Sequence, residues 1–265
     1  MTKDPLIEYT LHLADDALIL GHRNSEWCGH GPVLEQDIAI TNISLDLIGQ
    51  ARNFYQYAAR LINESAMKED GEESSEDTLA YLRDNREFKN CLLVEQPNGD
   101  WAKTILRQFL FSAYQFCLYK ELQNSKDEQL AAISEKSLKE VTYHLRWSSE
   151  WVIRLGDGTK ESHQRMLKAI DELWMYTGEL FTKTLYESAM VNVGKAIDVR
   201  LIRPQWEEKV NEVFKEAALY PALEERATAA VFQQSGGKQG RHTEHLGYIL
   251  AEMQFMQRAY PGCEW

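Results

Sequence analysis

Proline and glycine are scarce in this sequence. Only 6 Pro and 15 Gly occur among 265 residues. A many-stranded all-β protein needs a Gly or Pro turn roughly every 8 to 12 residues, so this shortage disfavours such an architecture. The composition is otherwise ordinary for a globular protein, since 44% of the residues are apolar and 26% are charged. Helix is therefore the expected secondary structure.

Basic side chains are also in the minority. The sequence has 29 Lys and Arg against 41 Asp and Glu, which gives a net charge of −12 at pH 7. A chain of this charge repels phosphate backbones and anionic lipid headgroups, so nucleic acids and membrane surfaces are not expected partners. No run of about 20 apolar residues is present to cross a bilayer, and the N-terminus lacks the pattern of a signal peptide. We expect a cytoplasmic protein.

Cysteine is rare as well, and its four positions form no recognised motif. Cys28, Cys91, Cys117 and Cys263 include no C-x-x-C pair and no zinc-ribbon spacing. We interpret them as reduced thiols, three of them filling the core. The sequence also lacks G-x-S-x-G, P-loop and G-x-G-x-x-G motifs, so it indicates no common nucleophile or nucleotide site.

Apolar residues spaced three and four apart indicate helices along most of the chain. The predicted helices cover residues 5–23, 32–62, 101–123, 127–155, 161–189, 205–218, 221–234 and 243–258. The segments between them, including the acidic 64–77 and the β-branched 191–204, are interpreted as loops, and Asp100 as a helix N-cap. Four of the helices are about 20 to 30 residues long and apolar on wide faces, which is typical of a ferritin-like four-helix bundle with smaller helices packed around it. No repeat or linker divides the chain, so we predict one domain over residues 1–265.

The predicted helix over residues 32–62 has two apolar stripes. The first consists of Leu34, Ile38, Thr41, Leu45 and Ile48, and the second of Ile40, Ile43, Leu47, Ala51 and Phe54. Because both stripes are apolar, we expect this helix to be central and buried on most of its sides.

Metal ligands are sparse on the predicted long helices. A di-metal bundle needs a Glu from each of two helices and an E-x-x-H pair from each of the other two, and no long helix here contains E-x-x-H. The motif HTEH places His242 and His245 three residues apart, but capping and packing are the favoured roles. His144 and Glu26 are single residues in aromatic surroundings, where a hydrogen-bonded structural role is favoured over metal binding.

Three long segments resemble one known family. They are SEWCGHGPVLEQDIAITNISLDLIGQARNFYQYAA at 25–59, LLVEQPNGDWAKTILRQ at 92–108 and SGGKQGRHTEHLGYILAEMQFMQRAYPG at 235–262. They closely resemble the non-catalytic structural subunits of bacterial phenylacetyl-CoA epoxidases, which are multicomponent ring oxygenases of aerobic phenylacetate breakdown. The resemblance implies a ferritin-like fold and pairing with a di-iron catalytic subunit in a complex that includes a reductase. A second copy of the chain is a further candidate partner.

The resemblance also places the metal-ligand positions of the catalytic relative on this chain. The six positions are Glu26, Leu47, Gln50, Ser112, Val141 and His144. Only Glu26 and His144 have a side chain of the ligand type, and this pair cannot hold two iron ions. We therefore expect no metal, no cofactor and no catalytic residue in this chain, with the di-iron centre in the partner. We also expect a buried polar remnant formed by Glu26, Gln50, Ser112 and His144.

Three functions remain open at this point. The leading hypothesis is a structural subunit that binds and stabilises the di-iron subunit. The alternative is a stand-alone ferritin-like di-metal oxidase or hydroxylase that uses Glu26, His144, His242 and His245. The third is an unrelated all-α adaptor.

Aromatic residues suggest where a partner could bind. The chain has 7 Trp, 12 Tyr and 9 Phe, and aromatic side chains are common anchors at subunit interfaces. We predict that some of them face a partner, with Trp27, Trp101, Trp206 and Trp265 as candidates.

Overall fold

The computed structural model describes residues 4–65, 73–220 and 232–263, and this part of the chain contains ten α-helices and no β-strand. The four longest helices are α1 (Pro5–Ser25), α2 (Leu34–Glu64), α4 (Trp101–Leu122) and α5 (Glu128–Gly156). The shorter ones are α3 (Glu76–Tyr81), α6 (Lys160–Leu173), α7 (Leu185–Asn192), α8 (Val199–Glu216), α9 (Glu244–Met253) and α10 (Phe255–Ala259). The predicted all-α class is confirmed.

The chain divides into two compact units, each assembled from separate stretches of sequence. Unit 1 comprises Met1–Pro97, Thr184–Asn192 and Gly236–Trp265, and unit 2 comprises Asn98–Lys183 and Val193–Ser235. Unit 1 thus contains the long pair α1 and α2 with α3, α7, α9 and α10, and unit 2 contains the long pair α4 and α5 with α6 and α8. The single domain over residues 1–265 stays a prediction.

In unit 1, α1 begins at the residues that its sequence indicates. The Asp4 side chain accepts a hydrogen bond from the backbone N–H of Leu6 at 2.8 Å, and Pro5 occupies the first position, where a helix does not use the N–H. Gly21 lets α1 approach α2 closely, because a Cβ there would lie 3.1 Å from Ile48 and 3.3 Å from Leu47. The two helices therefore pack as one closely fitted pair.

Only one of the two apolar stripes of α2 is buried. Ile40, Ile43, Leu47 and Phe54 of the second stripe are completely buried. In the first stripe Leu34 is 72% exposed, Ile38 51% and Leu45 62%, while Thr41 and Ile48 are half-buried. The expectation that α2 is buried on most sides is wrong, because periodicity shows that a face is apolar and does not show what covers it.

The prediction of one continuous helix over residues 161–189 is also wrong. Helix α6 ends at Leu173, two short 3₁₀ turns follow at Trp174–Tyr176 and Gly178–Phe181, and α7 begins at Leu185. Threonine side chains compete with the helix, because the Thr177 hydroxyl donates to the carbonyl of Trp174 at 2.8 Å. A new helix start is encoded by Thr184 and Glu187, whose side chains each accept a hydrogen bond from the other's backbone N–H.

Two further loop predictions need correction. Helix α8 starts at Val199 inside the predicted loop 191–204, because the Asp198 side chain caps it by accepting from the N–H of Arg200 at 3.1 Å. Helix α3 covers the last two residues of the predicted acidic loop 64–77 and begins with a capping box between Ser75 and Thr78. The other predicted helices are confirmed within a few residues, with the last divided at Gln254, whereas most of the predicted helix 221–234 lies outside the described residues.

An aromatic core fills part of unit 2. The Trp206 indole donates from Nε1 to the carbonyl of Leu110 at 2.9 Å, and its ring lies 5.9 Å from that of Trp174 and 5.2 Å from that of Phe181. Trp206 is therefore buried, and its predicted role as a surface anchor is wrong. The other candidates differ, since Trp27 and Trp101 are half-buried and Trp265 lies outside the described residues.

The end of α5 makes a close backbone approach within unit 2. A Cβ on Gly156 would lie 2.4 Å from the carbonyl oxygen of Ala217 and 2.8 Å from its Cβ. These distances leave no room for a side chain at this position.

We predict opposite effects for alanine at two helical glycines. Gly156→Ala should lower the free energy of unfolding by about 1 to 3 kcal/mol, because overpacking forces the backbone to shift. Gly49→Ala is the matched control, since a Cβ at this exposed position of α2 meets nothing within 4 Å. It should raise the free energy of unfolding by about 0.5 to 1 kcal/mol through helix propensity. Urea denaturation measures both, and equal effects would contradict the close approach.

Candidate functional site

The predicted polar remnant is divided between the two units. Gln50 is buried on α2 in unit 1. Ser112 on α4 and His144 on α5 are buried in unit 2, where the hydroxyl of Ser112 accepts a hydrogen bond from Nε2 of Gln108 at 2.8 Å. That Gln50, Ser112 and His144 share one pocket stays a prediction.

Glu26 does not belong to a buried group. It directly follows the end of α1, its side chain is 40% exposed, and it forms an ion pair with Nη1 of Arg23 at 2.8 Å. The residue of α1 that lies against Leu47 is Gly21, which precedes Glu26 by five residues. The assignment of Glu26 to a buried polar remnant is therefore wrong, because the packing of α1 against α2 places this carboxylate at the exposed end of α1.

Leu47 and Val141, which correspond by resemblance to the carboxylates of the two E-x-x-H motifs of the catalytic relative, are apolar and buried. Leu47 on α2 and Val141 on α5 have no exposed surface. Within the described ranges 4–65, 73–220 and 232–263, no three His, Cys, Asp or Glu side chains are grouped so that they could hold a metal ion. The expectation of a metal-free chain stays a prediction.

Unit 1 instead buries a network of charges that sequence reasoning missed. Asp15 on α1 has no exposed surface, and it accepts hydrogen bonds from the hydroxyl of Tyr55 at 2.5 Å and the backbone N–H of Lys89 at 2.8 Å. It also forms an ion pair with Arg83. Burial and the charge of Asp15 raise the pKa of Tyr55 well above 10, so its hydroxyl keeps the proton that it donates.

The neighbouring carboxylate extends the network along α1. Asp16 accepts from the backbone N–H of Cys91 at 2.7 Å and lies 3.1 Å from Nε2 of His12. The other ring nitrogen of His12 lies 3.3 Å from the hydroxyl of Tyr186 on α7. Asp15 and Asp16 together thus fix the path of residues 83–91 against α1.

A buried ion pair connects α7 with the segment before α9. Nζ of Lys238 lies 3.0 Å from the carboxylate of Glu187, and both side chains are only 2% exposed. Glu187 also accepts from the backbone N–H of Thr184 at 2.7 Å. Although burial raises the pKa of Glu187, the charge of Lys238 and the hydrogen bonds from Lys238 and Thr184 contribute to lowering it, and the pKa lies below its ordinary value. Glu187 is therefore a carboxylate, as the ion pair requires.

The HTEH motif takes part in the same network through its first histidine. The Glu95 carboxylate accepts from the side chain of Asn90 at 2.9 Å, from Nδ1 of His242 at 2.8 Å and from the backbone N–H of Thr243 at 2.7 Å. Nε2 of His242 lies 2.9 Å from the carbonyl oxygen of Phe88. Since both groups facing the ring are acceptors, both ring nitrogens must donate, and His242 is an imidazolium cation.

The electrostatic balance at His242 agrees with this protonation state. Burial by itself lowers the pKa of His242, but the hydrogen bond and the charge of Glu95 outweigh it, so the pKa lies above its ordinary value of 6.5. Both nitrogens are thus occupied, and His242 is a structural cation rather than a metal ligand. His245, the other histidine of the motif, is half-buried on α9.

One sequence signal could have revealed this network. His12, Asp15 and Asp16 interrupt the otherwise apolar stretch 11–20, and their spacing places them on one face of a helix whose other faces are apolar. Such a helix must bury some of its charges. Their partners Arg83 and Cys91 lie about 70 residues away in sequence, so spacing alone could not identify them.

We predict that stability decreases as the pH rises through the titration of His242. A pKa that is raised in the folded state stabilises the protein fully below the unfolded value of 6.5, and this contribution is lost as the pH rises through the folded value. The free energy of unfolding from urea titrations should therefore fall above pH 6.5. His242→Gln should remove this slope, whereas His245→Gln should keep it. An unchanged slope in His242→Gln would contradict the assignment.

Comparisons with known proteins agree with the helical architecture. Residues 1–265 match the family model described as phenylacetic acid catabolic protein, whose members are ferritin-like helical proteins. The chain is 49% identical over 260 residues to an Escherichia coli (strain K12) protein named as a subunit of 1,2-phenylacetyl-CoA epoxidase, and the match covers 98% of this chain and 99% of that protein. The predicted ferritin-like fold class is confirmed. Over its whole length, the chain belongs to the phenylacetic acid catabolic protein family.

Proposed function

We propose that this chain is the structural, non-catalytic subunit of a phenylacetyl-CoA epoxidase that works in aerobic phenylacetate catabolism. In this role it binds and stabilises a di-iron catalytic subunit, and the assembled cytoplasmic complex turns over phenylacetyl-CoA with electrons from a reductase. The similarity over 98% of the chain to a protein named as a subunit of such an enzyme supports the assignment to this complex.

The observation that carries the non-catalytic role is the burial of Leu47 and Val141. Both positions correspond by resemblance to the carboxylates of the two E-x-x-H motifs, and both hold completely buried aliphatic side chains. Iron in such sites is bound by carboxylate oxygens and imidazole nitrogens, which aliphatic side chains cannot replace. Leu47 and Val141 thus pack in the core at the two positions where a catalytic subunit needs metal ligands.

The alternative of a stand-alone di-metal oxidase is less well supported. It requires Glu26 and His242 as ligands, together with His144 and His245. Glu26 pairs with Arg23 at an exposed position, and His242 donates from both of its nitrogens. His242 therefore has no lone pair for a metal, and Glu26 is held by Arg23 outside the core, which favours the structural role.

Co-purification tests the proposal. The tagged chain, isolated from its native host grown on phenylacetate, should recover a di-iron subunit in stoichiometric amounts. The chain purified alone should contain no stoichiometric iron by elemental analysis, whereas the recovered partner serves as the positive control. About two irons per chain in the isolated protein would contradict the non-catalytic role, and recovery without a di-iron partner would contradict the assignment to the complex.

We predict that restoring carboxylates will destabilise the chain. Leu47→Glu, Gln50→His and Val141→Glu together rebuild both E-x-x-H motifs, but each new buried carboxylate costs several kcal/mol, by order of magnitude, without a metal. The melting temperature in metal-free buffer should therefore fall strongly. Leu45→Glu, on an exposed face of the same helix, is the control and should leave the melting temperature almost unchanged. A triple variant that melts like the wild type would show that these positions are not in the core.

A further inference from the structure

Helix α2 has an exposed apolar face that this chain does not cover within the residues that the structure describes. We call Leu34, Ile38, Thr41, Leu45 and Ile48 the α2 seam. The first, second and fourth of these side chains are more than half exposed. At 1.5 Å per residue the seam is about 21 Å long. Its three exposed members lie along one side of the helix, with the half-buried Thr41 between Ile38 and Leu45.

The spacing of the α2 seam fits another helix. Its members are four, three, four and three residues apart, which averages 3.5 and matches the a and d positions of helices that pack side by side. An extended peptide would pair with a period of two, and a small molecule needs a concave pocket. The geometry therefore favours a long partner helix that aligns with α2.

The size of the surface favours a large folded partner. Leu34, Ile38 and Leu45 together present on the order of 300 Å² of apolar surface, which is comparable to the largest patches on monomeric proteins. A stable interface buries about 800 Å² on each partner. The α2 seam is thus large enough to form the apolar centre of an interface, and the polar rim must come from contacts around it.

Charge favours a different chain over a second copy of this one. Glu35 is exposed beside the seam, and Asp37 and Asp46 lie on the same helix. The chain as a whole carries a charge of −12, so two copies repel each other over long range. A partner helix with Lys or Arg beside its apolar residues is complementary to this surface.

We infer that the α2 seam is the docking surface for a long helix of the di-iron subunit, and this inference rests on the proposed function. A ferritin-like catalytic subunit is built from helices long enough to cover the whole seam. Leu45 and Ile38, in the middle of the exposed stretch, are the expected anchors. The buried face of the same helix, which includes Leu47, remains available for the core of unit 1.

Affinity measurements with matched variants test this inference. Ile38→Glu and Leu45→Glu should each weaken binding to the separately purified di-iron subunit by about tenfold or more, because each places a charge in the apolar centre of the interface. Leu201→Glu on α8 is the control, since Leu201 and Leu34 are both 72% exposed. It should change the dissociation constant less than about twofold. All three variants should melt like the wild type.

The possible outcomes separate the inference from the proposed function. If the wild type binds the di-iron subunit and the seam variants bind it equally well, the docking surface is wrong while the proposed function stands. If the seam variants only abolish a dimer of the isolated chain, detected by light scattering, the occupant is a second copy and the inference is overturned. If the wild type does not bind the di-iron subunit at all, the proposed function fails and the inference fails with it.

Discussion

The pairing of buried carboxylates determines how unit 1 is built. Asp15 and Asp16 lie inside the molecule on α1, and a charge removed from water is tolerated only when it is paired and hydrogen-bonded. The partners come from Arg83, from two backbone N–H groups of the following segment and from Tyr55 on α2. These interactions fix the path of residues 83–91, which contain no long helix, and hold this segment against α1.

Local signals in the sequence are sufficient to predict where the long helices lie. Asp100, the predicted N-cap, accepts from the N–H of Lys103, and three- and four-residue spacing locates α1, α2, α4 and α5. The same spacing does not predict the 3₁₀ turns after Leu173. Apolar residues continue at helical spacing through these turns, although the α-helix ends at Leu173. The Thr184 and Glu187 capping box is a readable sign of the new start.

Predictions about the functional site are less accurate, because they depend on how the helices pack and not on local signals. Leu47 and Val141 are apolar, and their burial follows from their type. The placement of Glu26 is wrong because its level along the helix depends on how α1 packs against α2, which the close approach at Gly21 determines. The exposure of one face of α2 does not follow from the sequence, because an apolar stripe looks the same whether its own chain or another one covers it.

The ion pairs of unit 1 also have a consequence for the order of events during synthesis. Glu95 and Glu187 precede their partners His242 and Lys238 by 147 and 51 residues. Until residues 238–242 have been synthesised, the emerging chain holds the carboxylates of Glu95 and Glu187 without their counter-charges. The buried carboxylates of unit 1 can therefore all be paired only after residues 238–242 have been synthesised.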